Sequence, residues 1–142
     1  KIYRLLSLTG HKWMSNTNRT IFQGWDQLPE RGELIIITKS LKDVMVLRTL
    51  GFISAALQNE ITSIKDTVAR ELYERFNVVY ILNDFDLTGV KGANSLKRKY
   101  GFTPIFLQNF STRHNGFKDI SDFRKDHTAE ESKIKIEKLI CK

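Results

Sequence analysis

The chain lacks the raw material for several kinds of protein. Its one cysteine, Cys141, leaves no internal disulfide and no cysteine-rich zinc site, and a cytoplasmic setting fits that usage. No apolar run approaches the roughly 20 residues of a membrane span, and no signal-peptide pattern is visible, so no membrane partner is expected. No Gly-x-x-x-x-Gly-Lys loop occurs, which excludes a P-loop motor from this stretch. No internal repeat and no low-complexity linker interrupts it. The three histidines, His11, His114 and His127, have neither metal-ligand spacing nor a cysteine partner. Acidic groups are outnumbered: 23 Lys and Arg face 16 Asp and Glu, a net charge of +7.

A chain of 142 residues is most simply one domain, and one of that size buries about two-thirds of its unfolded surface. It opens on Lys1 rather than Met, as a piece of a longer protein would. The positive excess is unevenly placed. Residues 34–96 balance 7 basic against 7 acidic side chains, whereas residues 1–33 carry 5 against 3 and residues 97–142 carry 11 against 6. Basic flanks around a neutral middle suit a polyanion lying across that middle. They also suit the plain solubility of a lysine-rich protein.

Strand and helix patterns alternate from Glu33 onward. Leu34 to Thr38 is a short apolar strand, and Ser40 can cap a helix from Leu41 to Leu50 that Gly51 ends. Phe52 to Leu57 reads as a second strand. Ile61, Ile64, Val68, Leu72 and Phe76 mark one face of a second helix, with Ser63 and Asp66 at capping-box spacing. Val78 to Leu82 is a third strand. Val90, Ala93, Leu96 and Tyr100 predict a third helix closed by Gly101, with Lys91, Lys97, Arg98 and Lys99 outward. Pro104 to Leu107 is a fourth strand, then come a basic stretch from Gln108 to Asp126 and a final helix around Ala129 to Ile140. Alternation of this kind implies right-handed crossovers and a parallel sheet. Ahead of it, Tyr3 to Leu6, Lys12 to Met14 and Thr20 to Gln23 look like short strands, with a turn over Ser15 to Asn18. The expected division is a small β-rich appendage at 1–32, an α/β domain at 33–127 and a C-terminal helix at 128–142.

The most informative segment is Val78-Val79-Tyr80-Ile81-Leu82-Asn83-Asp84-Phe85-Asp86-Leu87-Thr88-Gly89. A buried strand stops at two acids spaced i, i+2, just past its carboxyl end, where open α/β sheets place ligands. Two carboxylates that close repel unless a cation lies between them, and hard oxygen ligands suit Mg²⁺ or Mn²⁺. A turn in which an Asp caps the next helix is the simpler alternative. Trp13, Phe22 and Trp25, interleaved with Arg4, Lys12 and Arg19, suit either stacking on single-stranded bases or packing on the sheet.

Glu33 to Gly101 resembles a Toprim domain, the α/β module of bacterial-type primases, phage primase–helicases, type II and IA topoisomerases and some nucleases. The family pattern is a strand ending in Glu-Gly, a helix with an early Asp, and a later strand ending in Asp-x-Asp with Gly three residues on. Ile35 to Leu47 occupies the first block, with Asp43 as the helix Asp, and Asp84-Phe85-Asp86 with Gly89 matches the second. Lys118-Asp119-Ile120-Ser121-Asp122-Phe123 is similar to the Lys-Asp-Pro-x-Asp element of primases, and Gly24 to Pro29 stands where their lead-in does. The likeness covers about two-thirds of the chain. It implies a four-stranded parallel sheet flanked by helices and a primase-type role in DNA replication. RNA primers would be made on single-stranded DNA from nucleoside triphosphates by metal-dependent nucleotidyl transfer, with a replicative helicase, separate or fused, as partner. Metal would sit on Asp84, Asp86 and Asp119, and Lys42, Lys91, Arg113 and Lys118 would meet phosphate.

One departure bears on all of this. Where the family has its catalytic Glu-Gly, the chain has Lys39-Ser40, and a cation can neither bind metal nor accept a proton. Glu60 could supply the missing carboxylate, Lys39 could contact phosphate directly, or the module could bind nucleic acid without chemistry. A solvated loop lysine is the bland alternative for Lys39, and a helix cap is the bland alternative for Asp119. A Toprim nuclease would suffer equally from the lost Glu. Asp84 to Thr88 also resembles the Asp-x-Asp-x-Thr element of haloacid-dehalogenase-type phosphatases. That element belongs to an early strand with long sequence after it, whereas here it ends the third strand.

Overall fold

The computed structural model describes residues 22–59, 64–108 and 117–141, and the backbone of two short strands, β1 (Ile2–Tyr3) and β2 (Trp13–Met14), which pair antiparallel. A four-stranded parallel sheet is built from β3 (Gly32–Thr38), β4 (Ser54–Ala56), β5 (Phe76–Leu82) and β6 (Thr103–Ile105), in the order β4-β3-β5-β6. The helices around it are α1 (Leu41–Thr49), α2 (Asp66–Arg75), α3 (Leu87–Tyr100), α4 (Ile120–Asp126) and α5 (Ala129–Ile140). The expected α/β architecture is the observed one.

Both faces of the sheet are covered, which is why its central strand reads as an unbroken apolar run. Ile35 and Ile37 join Val79 and Ile81 under Ala69 and Leu72 of α2 and Ala93 and Leu96 of α3. Ile36 faces the other way, packing with Leu47 of α1, Ile120 and Phe123 of α4 and Ile136 of α5. The three isoleucines are completely buried, each worth about 2 kcal/mol of transfer free energy. On the second face Tyr80 donates its hydroxyl to the Ile140 carbonyl at 2.8 Å, tying the end of α5 to β5.

Several element ends differ from the sequence pattern. Phe76 continues the apolar period of α2 but adopts extended backbone (φ −135°, ψ 135°) and pairs with Gly32 as the first residue of β5. Burial of its ring decides the matter, since helix passes into strand with no turn between. α2 starts at Asp66 after Lys65 with no side-chain cap, and Ser63 lies outside the described residues. β4 is three residues rather than six, and β6 spans Thr103–Ile105.

Of the strand expected over 20–23, whose first two residues lie outside the described ones, Gln23 forms an isolated antiparallel bridge to Ala56 at the β4 edge. Its backbone bonds are 2.7 and 2.9 Å long. Beside it Phe22 is buried in the core against Trp25, ring centroids 5.1 Å apart, and the Arg75 guanidinium stands 5.2 Å over Trp25. Phe22 and Trp25 are therefore packing residues rather than a base-stacking platform. The Trp13 side chain and the turn over 15–18 lie outside the described residues.

Candidate nucleic-acid interface

The strand order fixes where a ligand can lie. From β3 the chain leaves through α1 towards β4 on one side. From β5 it leaves through α3 towards β6 on the other. At the carboxyl ends of β3 and β5 the two connections therefore diverge, and open α/β sheets form their ligand crevice at such a switch point. Thr38 pairs with Leu82 at the last rung, so the residues that enter the crevice are Lys39-Ser40 from one strand and Asn83-Asp84 from the other.

The acidic loop is held by three local devices. Asp86 is the N-cap of α3, its Oδ1 accepting from the Gly89 amide at 2.8 Å. Asn83 donates its side-chain amide to the Gly89 carbonyl at 3.2 Å. Gly89 is required by space: a Cβ there would lie 2.3 Å from the Asp84 carbonyl oxygen. The two acids differ in burial and in partner. Asp86 is exposed at the helix terminus, where its charge complements the dipole. Asp84 is buried, and its Oδ2 accepts from the Lys39 ammonium in an ion pair.

A second set of acids joins α1 to α4. Asp43 is fully buried in the first turn of α1 and accepts from the hydroxyls of Ser40 at 2.5 Å and Ser121 at 2.6 Å. Lys42 Nζ lies 3.7 Å from Asp43 Oδ1 and pairs with Asp119. Asp119 is the N-cap of α4, accepting from the Asp122 amide at 2.8 Å. Asp122 is held below the ordinary carboxylate range, first by its hydrogen bond from Lys125 and further by the charge of Lys42.

The fold thus gathers Lys39, Lys42, Asp84 and Asp119 at one edge of the sheet. Lys118 is exposed immediately before the α4 cap, on the Lys42 side. Lys91 is exposed on α3, in the opposite helix layer. The basic last turn of α3 is at the far end of that helix, where Lys99 pairs with Asp66 at 2.8 Å. Glu60 and Arg113 lie outside the described residues. Lys39 is no solvated loop lysine, and the capping alternative for Asp119 and Asp86 holds in both cases. The sequence reading missed Asn83 and Ser121. Asn83 meets Gly89 only six residues on, whereas Ser121 meets Asp43 across 78 residues, which no local pattern encodes.

Each of these carboxylates already has a protein partner. Lys39 holds Asp84, an α3 amide holds Asp86, hydroxyls hold Asp43, and Asp119 is shared between an amide and Lys42. Among the described residues no group of three or more His, Cys, Asp or Glu side chains converges as a metal cage needs.

No family model matches the chain, and no curated protein matches it in sequence. Solved structures do share the fold. One is a chain from the structure of bacteriophage T7 lagging-strand DNA polymerase interacting with primase domains of two gp4 subunits bound to an RNA/DNA hybrid and dTTP. Its TM-score is 0.54 at 11% sequence identity. The match is to a gp4 primase domain. The overlap takes in 80% of this chain and 56% of that one, so this chain spans little more than half its neighbour's length. At that identity the likeness is one of fold.

Proposed function

We propose that the chain is a primase-type, Toprim-like module of a DNA-replication protein that binds nucleic-acid phosphate at the carboxyl edge of its sheet and makes no bond there. The observation that carries this reading is the Lys39 ammonium seated on Asp84 at the switch point. A lysine there removes the proton acceptor and neutralises the carboxylate, and both changes favour holding a polyanion over transferring a nucleotide. The shared fold with a primase domain and the basic flanks of the chain support the choice of nucleic acid as ligand. Single-stranded DNA and nucleoside triphosphates are the ligands that fit. Lys42 and Lys118 would contact phosphate on the α1–α4 side, Lys91 on the α3 side and Arg113 from the basic stretch. A replicative helicase, separate or fused, is the natural protein partner of such a module.

A second reading is favoured by the position of Asp84 in a ligand crevice: metal-dependent synthesis of RNA primers. It requires Mg²⁺ or Mn²⁺ to expel Lys39 from Asp84. The two readings separate in one experiment on labelled single-stranded DNA, with primer synthesis and fluorescence anisotropy measured side by side. Binding that survives EDTA and Asp84→Ala, with no primer made, is the expected result. Primers made with Mg²⁺ or Mn²⁺ and lost in Asp84→Ala would establish synthesis instead, and nicked DNA would establish a nuclease. Absence of any DNA binding would overturn the nucleic-acid assignment itself.

A further inference from the structure

We infer that Lys39 is the resident cation of this crevice, an ammonium group standing where the acidic loop would otherwise call for a divalent metal. A carboxylate as buried as Asp84, with a second acid two residues on, needs a positive charge close by. The last residue of β3 is in register with the last residue of β5, so the next residue on β3 is placed to reach across to Asp84. That residue is Lys39, whose ammonium reaches Asp84 and whose side chain is only 21% exposed. Lys42, three residues on, repeats the arrangement: its ammonium lies between Asp43 and Asp119, carboxylates of two different helices. Two lysines from one strand–helix junction therefore neutralise acids from the β5–α3 loop and from the α4 cap.

An arriving divalent ion would meet an ammonium at contact distance from the oxygen it must bind, in a site 9% exposed where screening is weak. Asp86, two residues on, is exposed and its Oδ1 accepts from the Gly89 amide, so a metal shared with Asp84 would still have to displace Lys39. Lys39 thus makes the edge independent of divalent ions and lets a phosphate approach without carboxylate repulsion. That last consequence rests on the nucleic-acid reading above, whereas the substitution of lysine for metal does not.

The probe is Mn²⁺ itself, titrated against the intact chain and followed by electron paramagnetic resonance of the free ion. Lys39→Met keeps the length of the stem and removes the charge. Lys39→Glu serves as the second variant, because metal can compensate its added charge if the methionine form fails to fold. Circular dichroism checks the fold of each. The expected result is Mn²⁺ binding tighter by about tenfold or more in either variant than in the parent, the size of one close charge removed. Adding Asp84→Asn should reverse the gain. Equal Mn²⁺ affinity in parent and variants, or a gain that survives Asp84→Asn, would overturn the inference. Anisotropy of labelled single-stranded DNA, run in parallel, keeps the two ideas apart. DNA binding that demands Mn²⁺ overturns the resident-cation idea and leaves the nucleic-acid reading standing. No DNA binding, with the Mn²⁺ pattern as expected, does the reverse.

Discussion

Breaking the Lys39–Asp84 pair from one side should cost the fold more than replacing both partners. The side chains are 21% and 9% exposed, between the surface and interior regimes. Exposed pairs contribute about 0.2–1 kcal/mol, while removing one partner of a buried pair costs about 3–5 kcal/mol through the charge left behind. Lys39→Met strands a mostly buried carboxylate, so a loss of about 2–3 kcal/mol is expected. Asp84→Asn should cost less, about 1–2 kcal/mol, because the freed lysine is long enough to reach water. The double variant then regains about 1–3 kcal/mol relative to the sum of the singles, as coupled neighbours do. In a chain of this size the methionine variant alone should melt about 4–12 °C lower. Urea melts of the four proteins give the cycle directly. Additivity within about 0.5 kcal/mol would refute the reasoning, because the pair would then be no more than a surface contact.

Three further outcomes follow from neighbouring geometry. Gly89→Ala should destabilise by more than about 1 kcal/mol, despite alanine's better helix propensity, because its Cβ falls 2.3 Å from the Asp84 carbonyl oxygen. A variant as stable as the parent in urea would show that the acidic loop moves freely. Asp43→Asn should cost about 1–3 kcal/mol by upsetting the Ser40 and Ser121 hydroxyl bonds. Hydrogen exchange should then quicken in Ile120–Asp126 as well as in α1, and a change confined to α1 would sink the idea that Asp43 ties the two helices. Asp66 is held below the ordinary carboxylate range, first by its hydrogen bond from Lys99 and then by one from Tyr100. A depressed folded-state pKa means that its contribution is present above the unfolded value near 3.8 and is lost as pH falls through the folded value. Lys99→Met should raise the Asp66 midpoint in a carbon-detected NMR titration, and an unmoved midpoint would show another cause.

How far the sequence reached depended on whether a signal was local. Ile35 to Ile37 and Val78 to Leu82 announced buried parallel strands because both faces of the sheet are covered. Gly101, at φ 76°, closed α3 where a left-handed residue is needed, and Ala129 to Ile140 matched α5 end to end. Phe76 misled because helix and strand abut there, so apolar periodicity ran across the junction. Phe22 and Gln23 were legible only as a loose strand, since the bridge from Gln23 to Ala56 joins residues more than 30 apart.

The site divided along the same line. Position placed Asp84 just past the carboxyl end of β5, where the structure has it, and the simpler capping role expected for an Asp of that turn is the one Asp86 plays at α3. In sequence Lys39 stood out as a lysine in place of a catalytic acid and as a candidate phosphate contact. Its meaning lies in a partner 45 residues away, which no local pattern encodes.

On the function proposed above, this edge binds nucleic-acid phosphate with its own lysines rather than through a metal. The most direct measurement is the affinity of the intact chain for a labelled single-stranded oligonucleotide, in EDTA and in Mg²⁺ at matched ionic strength. Equal affinity is expected in both, falling as salt rises because the contacts are to phosphate, and weakened by Lys42→Ala with Lys118→Ala. Binding that appears only with Mg²⁺ would contradict it.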